Sequence, residues 1–167
     1  MIFSILDEIS SETVNLLIAF LNELEGDPKK PQKIEILLSS NGGEMEHGNT
    51  ILYLISERKN KVKLTAYGKI HSAAFEFYTL AECEKTILPN TIGMYHRASN
   101  EITMTSGNTP KTSEDAAILK SLIADEAITK KVCELANMSD QAKADIFADK
   151  DVYFTYDELK EMFKIAA

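Results

Sequence analysis

The sequence predicts an α/β fold with a largely parallel sheet, and three observations lead there. Apolar patterns of strand type and helix type alternate from the first residues onward, the order that builds a parallel sheet through helical crossovers. The segment IEILL at residues 34–38 is nearly continuous apolar sequence, as expected of a strand covered on both faces. A glycine pair, Gly42-Gly43, and a serine, Ser72, each stand where a strand gives way to a helix. That is the sheet edge on which such folds bind ligands.

One domain over residues 1–167 is expected, since this length can bury a sizeable core. Apolar residues make up 44% and charged residues 26%, the balance of a soluble globular chain, and no apolar run approaches the ~20 residues of a membrane helix. The N-terminal MIFSILDEIS carries no basic residues ahead of its apolar ones, so no cleaved secretory signal is predicted and a cytoplasmic protein is expected. A formal net charge of −8 argues against a general nucleic-acid binder. Cys83 and Cys133 lie far apart and are read as free thiols of a reducing compartment. No His, Cys and carboxylate cluster has metal-ligand spacing, so neither a metal nor another cofactor is predicted.

Taken in order, residues 2–6 read as a short strand. Ser10 or Ser11 can cap a helix in which Val14, Leu17, Ile18, Leu21 and Leu24 form one apolar stripe. Gly26 ends it, and residues 27–31 (DPKKP) form a surface turn. After the strand at 34–38 and the turn SSNGG, a helical pattern runs through Met45, Gly48, Leu52 and Ile55. Residues 62–67 alternate apolar with polar, the period of a half-buried strand. Gly68 breaks that pattern, and from Ser72 onward Ala73, Ala74, Phe77, Tyr78 and Ala81 recur at helical spacing. Residues 85–88 and 92–96 read as two short strands joined by a Pro89-Asn90 turn, with His96 ending the second. Residues 97–111 read as a polar loop or loose hairpin. Ser113, Glu114 and Asp115 open a long helix bearing Ala116, Leu119, Leu122, Ile123, Ala127 and Val132. Ser139 can cap a short helix with Ala142 and Ile146, and Thr155 with Glu158 has capping-box spacing before a final helix.

Ser72 is the residue of chemical interest. A serine at a strand-to-helix corner can project its hydroxyl clear of the sheet, beside the free N–H groups of the helix start. Such N–H groups can stabilise an oxyanion during acyl transfer. The plainer role for the same serine is an N-cap.

The motifs around it resemble those of a known family. SSNGG (39–43), between a strand and a helix, resembles the strand-NSPGG-helix of the proteolytic subunit of Clp protease (ClpP), a serine peptidase family. GKIHSAAF (68–75) resembles its nucleophile turn G-x-A-A-S-M-G-A-F, and ILPNTIGMYHRA (87–98) resembles its L-P-N-S-R-x-M-I-H-Q-P. DVYFTYDELKEM (151–162) resembles D-x-F-x-S-A-x-E-A-x-E-Y, which follows the family's catalytic aspartate. The resemblance spans almost the whole chain. It implies a ClpP/crotonase-like fold with repeated ββα units and a handle-like helix insertion after the histidine. It also implies a serine endopeptidase working through an acyl-enzyme, with Ser72 as nucleophile, His96 as general base and an aspartate that orients the imidazole. The oxyanion hole would come from the N–H groups of Gly42 and Ala73. Counting I-x-x-D from Ile146 favours Asp149 as the triad acid, with Asp145 and Asp151 as alternatives. His71 is not expected to be the base, because a sequence neighbour on a sharp turn points elsewhere, and His47 reads as a surface residue.

A self-compartmentalised homo-oligomer, heptameric in rings, that acts on peptides or unfolded proteins follows by the same resemblance. The departures are Asn41 in place of proline, Ala74 in place of glycine, and a start almost at the first core strand. In the family an N-terminal segment there forms the loops that contact the ATP-dependent unfoldase. Docking to a Clp-type ATPase is therefore not expected, and action independent of one is. Two alternatives stay open: a non-catalytic ClpP-like scaffold or assembly subunit, and a crotonase-type acyl-CoA enzyme.

Overall fold

A computed structural model of the chain describes residues 1–26, 33–97 and 113–165, with residues 113–119 described by backbone alone. The expected surface turn at 27–31 and the polar stretch beyond Arg97 lie outside the described residues. The elements run β1 (Ile2–Ile5), α1 (Ser11–Glu25), β2 (Ile34–Ser40), α2 (Met45–Ser56), β3 (Val62–His71), α3 (Ala73–Leu80), β4 (Glu84–Ile87), β5 (Ile92–Tyr95), α4 (Ser113–Leu135), α5 (Asp140–Phe147), β6 (Val152–Phe154) and α6 (Tyr156–Phe163).

Among the described residues these strands form one sheet in the order β1-β2-β3-β5-β6, with β4 also paired to β3. The pairings are parallel except for β5 with β6. One edge of β3 is divided between two partners: Lys63–Ala66 pair with β4, and Lys69–His71 pair with β5. The mostly parallel sheet, with six helices among the described residues, is that of the ClpP/crotonase-like fold.

The first helix forms because Ser10 caps it, its hydroxyl accepting from the Thr13 N–H, and because Val14, Leu17, Leu21 and Leu24 turn one buried stripe to the sheet. Ile18, expected in that stripe, sits at its margin and is 36% exposed. β2 is covered less evenly than its apolar run implies. Ile34, Ile36, Leu38 and Ser40 are buried, while Glu35, Leu37 and Ser39 between them are half-buried. In α2 the innermost side chain is Ile51, with Leu52 beside it half-buried.

Gly68 does not end the third strand. β3 continues through it to His71, and the pairing shifts there: from Leu38↔Ala66 to Ser40↔Ile70, β2 advances two residues while β3 advances four. Gly68 adopts φ 63°, and a Cβ on it would lie 2.9 Å from Ser39 Oγ, so the bulge needs a residue without a side chain.

α3 is the innermost helix, buried from Ala73 through Thr79. Its Phe75 ring stacks on Tyr95 and on Phe154 at centroid distances of 5.4 and 5.5 Å. β6 is a strand with no periodic signature in the sequence, built by its pairing with β5. α4 buries Thr129, Val132 and Cys133 near its end, with Ala136 buried just beyond it, while Ile123, expected to be inward, is 60% exposed. Ser139 caps α5 and the Thr155–Glu158 capping box closes the start of α6, both as the spacing implied. No described helix is long and apolar enough to cross a membrane.

Candidate active site

The adjacent ends of β3 and β5 carry the site. His71 pairs with Met94 across them, the Ser72 N–H donates to Met94 O at 2.8 Å, and Ser72 and His96 leave the sheet side by side. The Ser72 backbone has φ 52° and ψ −124°, a left-handed conformation that costs a residue with a Cβ roughly 1–3 kcal/mol. That sharp corner turns the chain from strand into α3 within one residue.

Ser72 occupies the N-cap position of α3, yet its side chain makes no capping hydrogen bond. Its Oγ lies 2.7 Å from His96 Nε2 instead. The hydroxyl thus meets the imidazole, while the first N–H groups of α3, beginning with Ala73, have no acceptor within the helix.

The glycine turn lies directly against this corner. A Cβ on Gly42 would stand 2.8 Å from Ser72 Cβ and 3.0 Å from Ala73 N, at φ +101°, so only glycine allows the two strand-to-helix turns to touch. The Gly42 N–H, an expected oxyanion donor, donates to the buried Ser40 Oγ at 3.0 Å. Gly42 O accepts from Ile9 N at 2.7 Å, and Glu44 N donates to Ile9 O at 3.0 Å. The turn is thereby pinned to the segment between β1 and α1.

The three candidate aspartates separate clearly. Asp151 Oδ1 stands 3.7 Å from His96 Nδ1, on the ring edge opposite the serine. Asp149, expected there, instead faces Arg97, with Oδ1 4.0 Å from Nη1. The cause is local: Asp149 takes φ 57° in the turn that ends α5, and two further residues are needed before the chain reaches β6 beside β5. Asp145 lies within α5, where Lys150 Nζ at 2.7 Å and Gln141 Nε2 at 3.0 Å donate to it. Those donors hold its carboxyl below the usual carboxylate range.

The other histidines stand apart from this pair. The His71 ring packs edge-on against Tyr153 at 6.1 Å, and burial, then Lys69, pushes its pKa down, so it is neutral near pH 7. His47 Nδ1 faces Glu44 Oε2 at 2.9 Å. Among the described residues no group of three or more His, Cys, Asp or Glu is placed to hold a metal ion.

Behind the pair lies a buried polar cluster that the motifs did not signal. Glu76, one turn into α3 and 5% exposed, accepts from the Tyr95 hydroxyl at 3.2 Å. Burial, opposed by that hydrogen bond and aided by Asp125, pushes the Glu76 carboxyl up to about 7. The Thr129 hydroxyl of α4 donates to Asp125 O at 2.8 Å. A glutamate inside the apolar run AAFEFY was the available signal.

A model of the Clp protease family matches residues 1–161 of this chain. Comparison with the curated proteins gave no match.

Proposed function

Because the chain belongs to the Clp protease family, we propose that it is a serine endopeptidase whose nucleophile is Ser72 and whose general base is His96. The observation that carries the reading is the 2.7 Å approach of His96 Nε2 to Ser72 Oγ, within the range needed for proton transfer.

On this reading the Ser72 hydroxyl donates its hydrogen bond to Nε2. As Oγ attacks the peptide carbonyl, the proton passes to Nε2 and the carbonyl oxygen becomes an oxyanion beside the start of α3. The imidazolium then gives its proton to the leaving amine, which leaves an acyl-enzyme on Ser72. Water activated by the same nitrogen hydrolyses the ester and restores the serine. Asp151, on the opposite ring edge, is the proposed triad acid in preference to Asp149 or Asp145, and it stabilises the imidazolium. Ala73 N–H is the first oxyanion donor. Gly42 N–H becomes the second once the substrate oxygen replaces Ser40 Oγ as its acceptor.

A single domain working as a self-compartmentalised homo-oligomer in the cytoplasm completes the proposal. The exposed Ile123 on α4, where the family resemblance places the handle, supports assembly through that helix. Light scattering that returned a monomer at working concentration would contradict it.

The test of the chemistry is intact-mass analysis after a fluorophosphonate probe. One adduct is expected on the native chain and none on Ser72→Ala. No adduct on the folded native protein would favour the non-catalytic scaffold.

A further inference from the structure

We propose that Glu76 and Tyr95 are a pair of positioning residues that cross-brace the Ser72 corner to the His96 strand and so set the approach of imidazole to hydroxyl. The inference rests on the assignment of Ser72 and His96 above, and it concerns residues that neither touch substrate nor exchange protons with it.

Each member of the pair belongs to the chain segment of one reacting residue. Tyr95 immediately precedes His96 at the end of β5. Glu76 is one turn beyond Ser72 in α3, and its N–H donates to Ser72 O at 3.1 Å. Two links therefore join the segments behind the reacting atoms: the Ser72 N–H to Met94 O at 2.8 Å, and the Tyr95 hydroxyl to Glu76 Oε2 at 3.2 Å. The stack of Phe75 on Tyr95 lies between them. With one link the corner could pivot about the strand end; with two it is held against rotation.

A buried carboxylate is a costly way to supply a brace, because desolvation opposes its charge. Packing alone could be had from leucine or phenylalanine at position 76. The groups facing it sharpen the point. β5 supplies the Tyr95 hydroxyl and α4 supplies Asp125, while from α2 the adjoining side chains are Met45, Asn49 and Leu52, none of them charged. Among the described residues no cation compensates the carboxylate there. What it gains is the directed hydrogen bond to Tyr95, strongest when Glu76 is ionised. The brace thus tightens as Glu76 loses its proton near neutrality.

The experiment compares Glu76→Gln and Tyr95→Phe with the native protein, using Phe77→Leu in the same buried helix as a packing control. Two readouts are taken: the rate of fluorophosphonate labelling at saturating probe, and the NMR titration of the ¹³C-labelled His96 ring from pH 5 to 9. Both brace variants are expected to label about tenfold to a hundredfold more slowly, the loss that misplacement of a reacting group brings, with half-saturation by the probe unchanged. The His96 resonance is expected to sense a second inflection near neutral pH in the native protein, absent from Glu76→Gln and retained in Phe77→Leu. Native labelling rates in both variants, or a His96 titration unchanged by them, would overturn the proposal even if their melting points fell. If the native protein does not label at all, the serine-peptidase reading fails, and the His96 titration still decides the brace.

Discussion

The contact between the glycine turn and the serine corner gives a prediction that can be worked through. Replacing Gly42 by alanine places a methyl group 2.8 Å from both His71 O and Ser72 Cβ, on a backbone with φ +101°. The forced dihedral costs roughly 1–3 kcal/mol, and the overpacking costs a further 1–3 kcal/mol or so. Because backbone supplies two of the three nearest atoms, little of this can relax through side-chain rotation. A destabilisation of about 4 kcal/mol is expected, a fall in melting temperature on the order of 10 °C for a chain of this size. Whatever fraction remains folded should label slowly with a fluorophosphonate, since relief of the clash must move Ser72, the proposed nucleophile. Gly48→Ala is the matched control. In α2, only six positions away, a Cβ meets nothing within 4 Å, and the substitution is expected to stabilise by about 0.5–1 kcal/mol through helix propensity. Thermal melts and labelling of the two variants side by side make the assay. A Gly42→Ala protein that melts and labels like the native one would refute the packing of one turn on the other.

Three further outcomes are expected. Asp151→Asn should slow labelling of Ser72 by at least about tenfold, up to the ~10⁴ that loss of a triad aspartate can reach, while Asp149→Asn and Asp145→Asn stay near the native rate; the reverse ranking would move the triad acid to another position. Glu76 should make stability fall as pH rises. Its folded carboxyl titrates near 7 against an ordinary ~4.5, so the folded state holds the proton more tightly, and roughly 3 kcal/mol present below pH ~4.5 is lost by pH ~7. Glu76→Gln should flatten that slope in denaturant melts between pH 5 and 7.5, whereas Glu158 and Glu35, whose carboxyls are held low mainly by hydrogen bonds from Thr155 and Thr65, act in the opposite sense at lower pH. Thr155→Ala should cost about 1 kcal/mol in urea titration by removing the cap of α6.

The parts of the fold that declare themselves in sequence are those governed by local chemistry. Ser10, Ser139 and Thr155 cap the helices they precede because each signal lies within four residues of its effect. β6 is different: three residues, with Tyr153 60% exposed between Val152 and Phe154, have no period to read, and only pairing with β5 makes them a strand. Gly68 misleads for a related reason, since a glycine that breaks alternation looks the same whether the strand stops or bulges. In the site, the small-residue turn at Ser72 and the LPN…H run stand out as motifs, but the neighbour of His96 among three aspartates depends on the left-handed turn at Asp149, which spacing does not encode. Glu76 and Tyr95 are individually unremarkable residues whose link is visible only when α3 lies across β5.

The Gly68 bulge has a consequence of parity. Because β3 gains two residues on β2 there, an even number, the alternation survives it: Ala66 and Ile70, on either side, both face the core and are fully buried. An odd change in length between them would exchange the faces of everything downstream as far as the helix. His71 would be driven inward in place of Ile70, and the serine would arrive half a strand period out of phase with the histidine beside it. The position of Ser72 is therefore counted as well as packed, and a change in the length of β3 at that point keeps its phase only in steps of two.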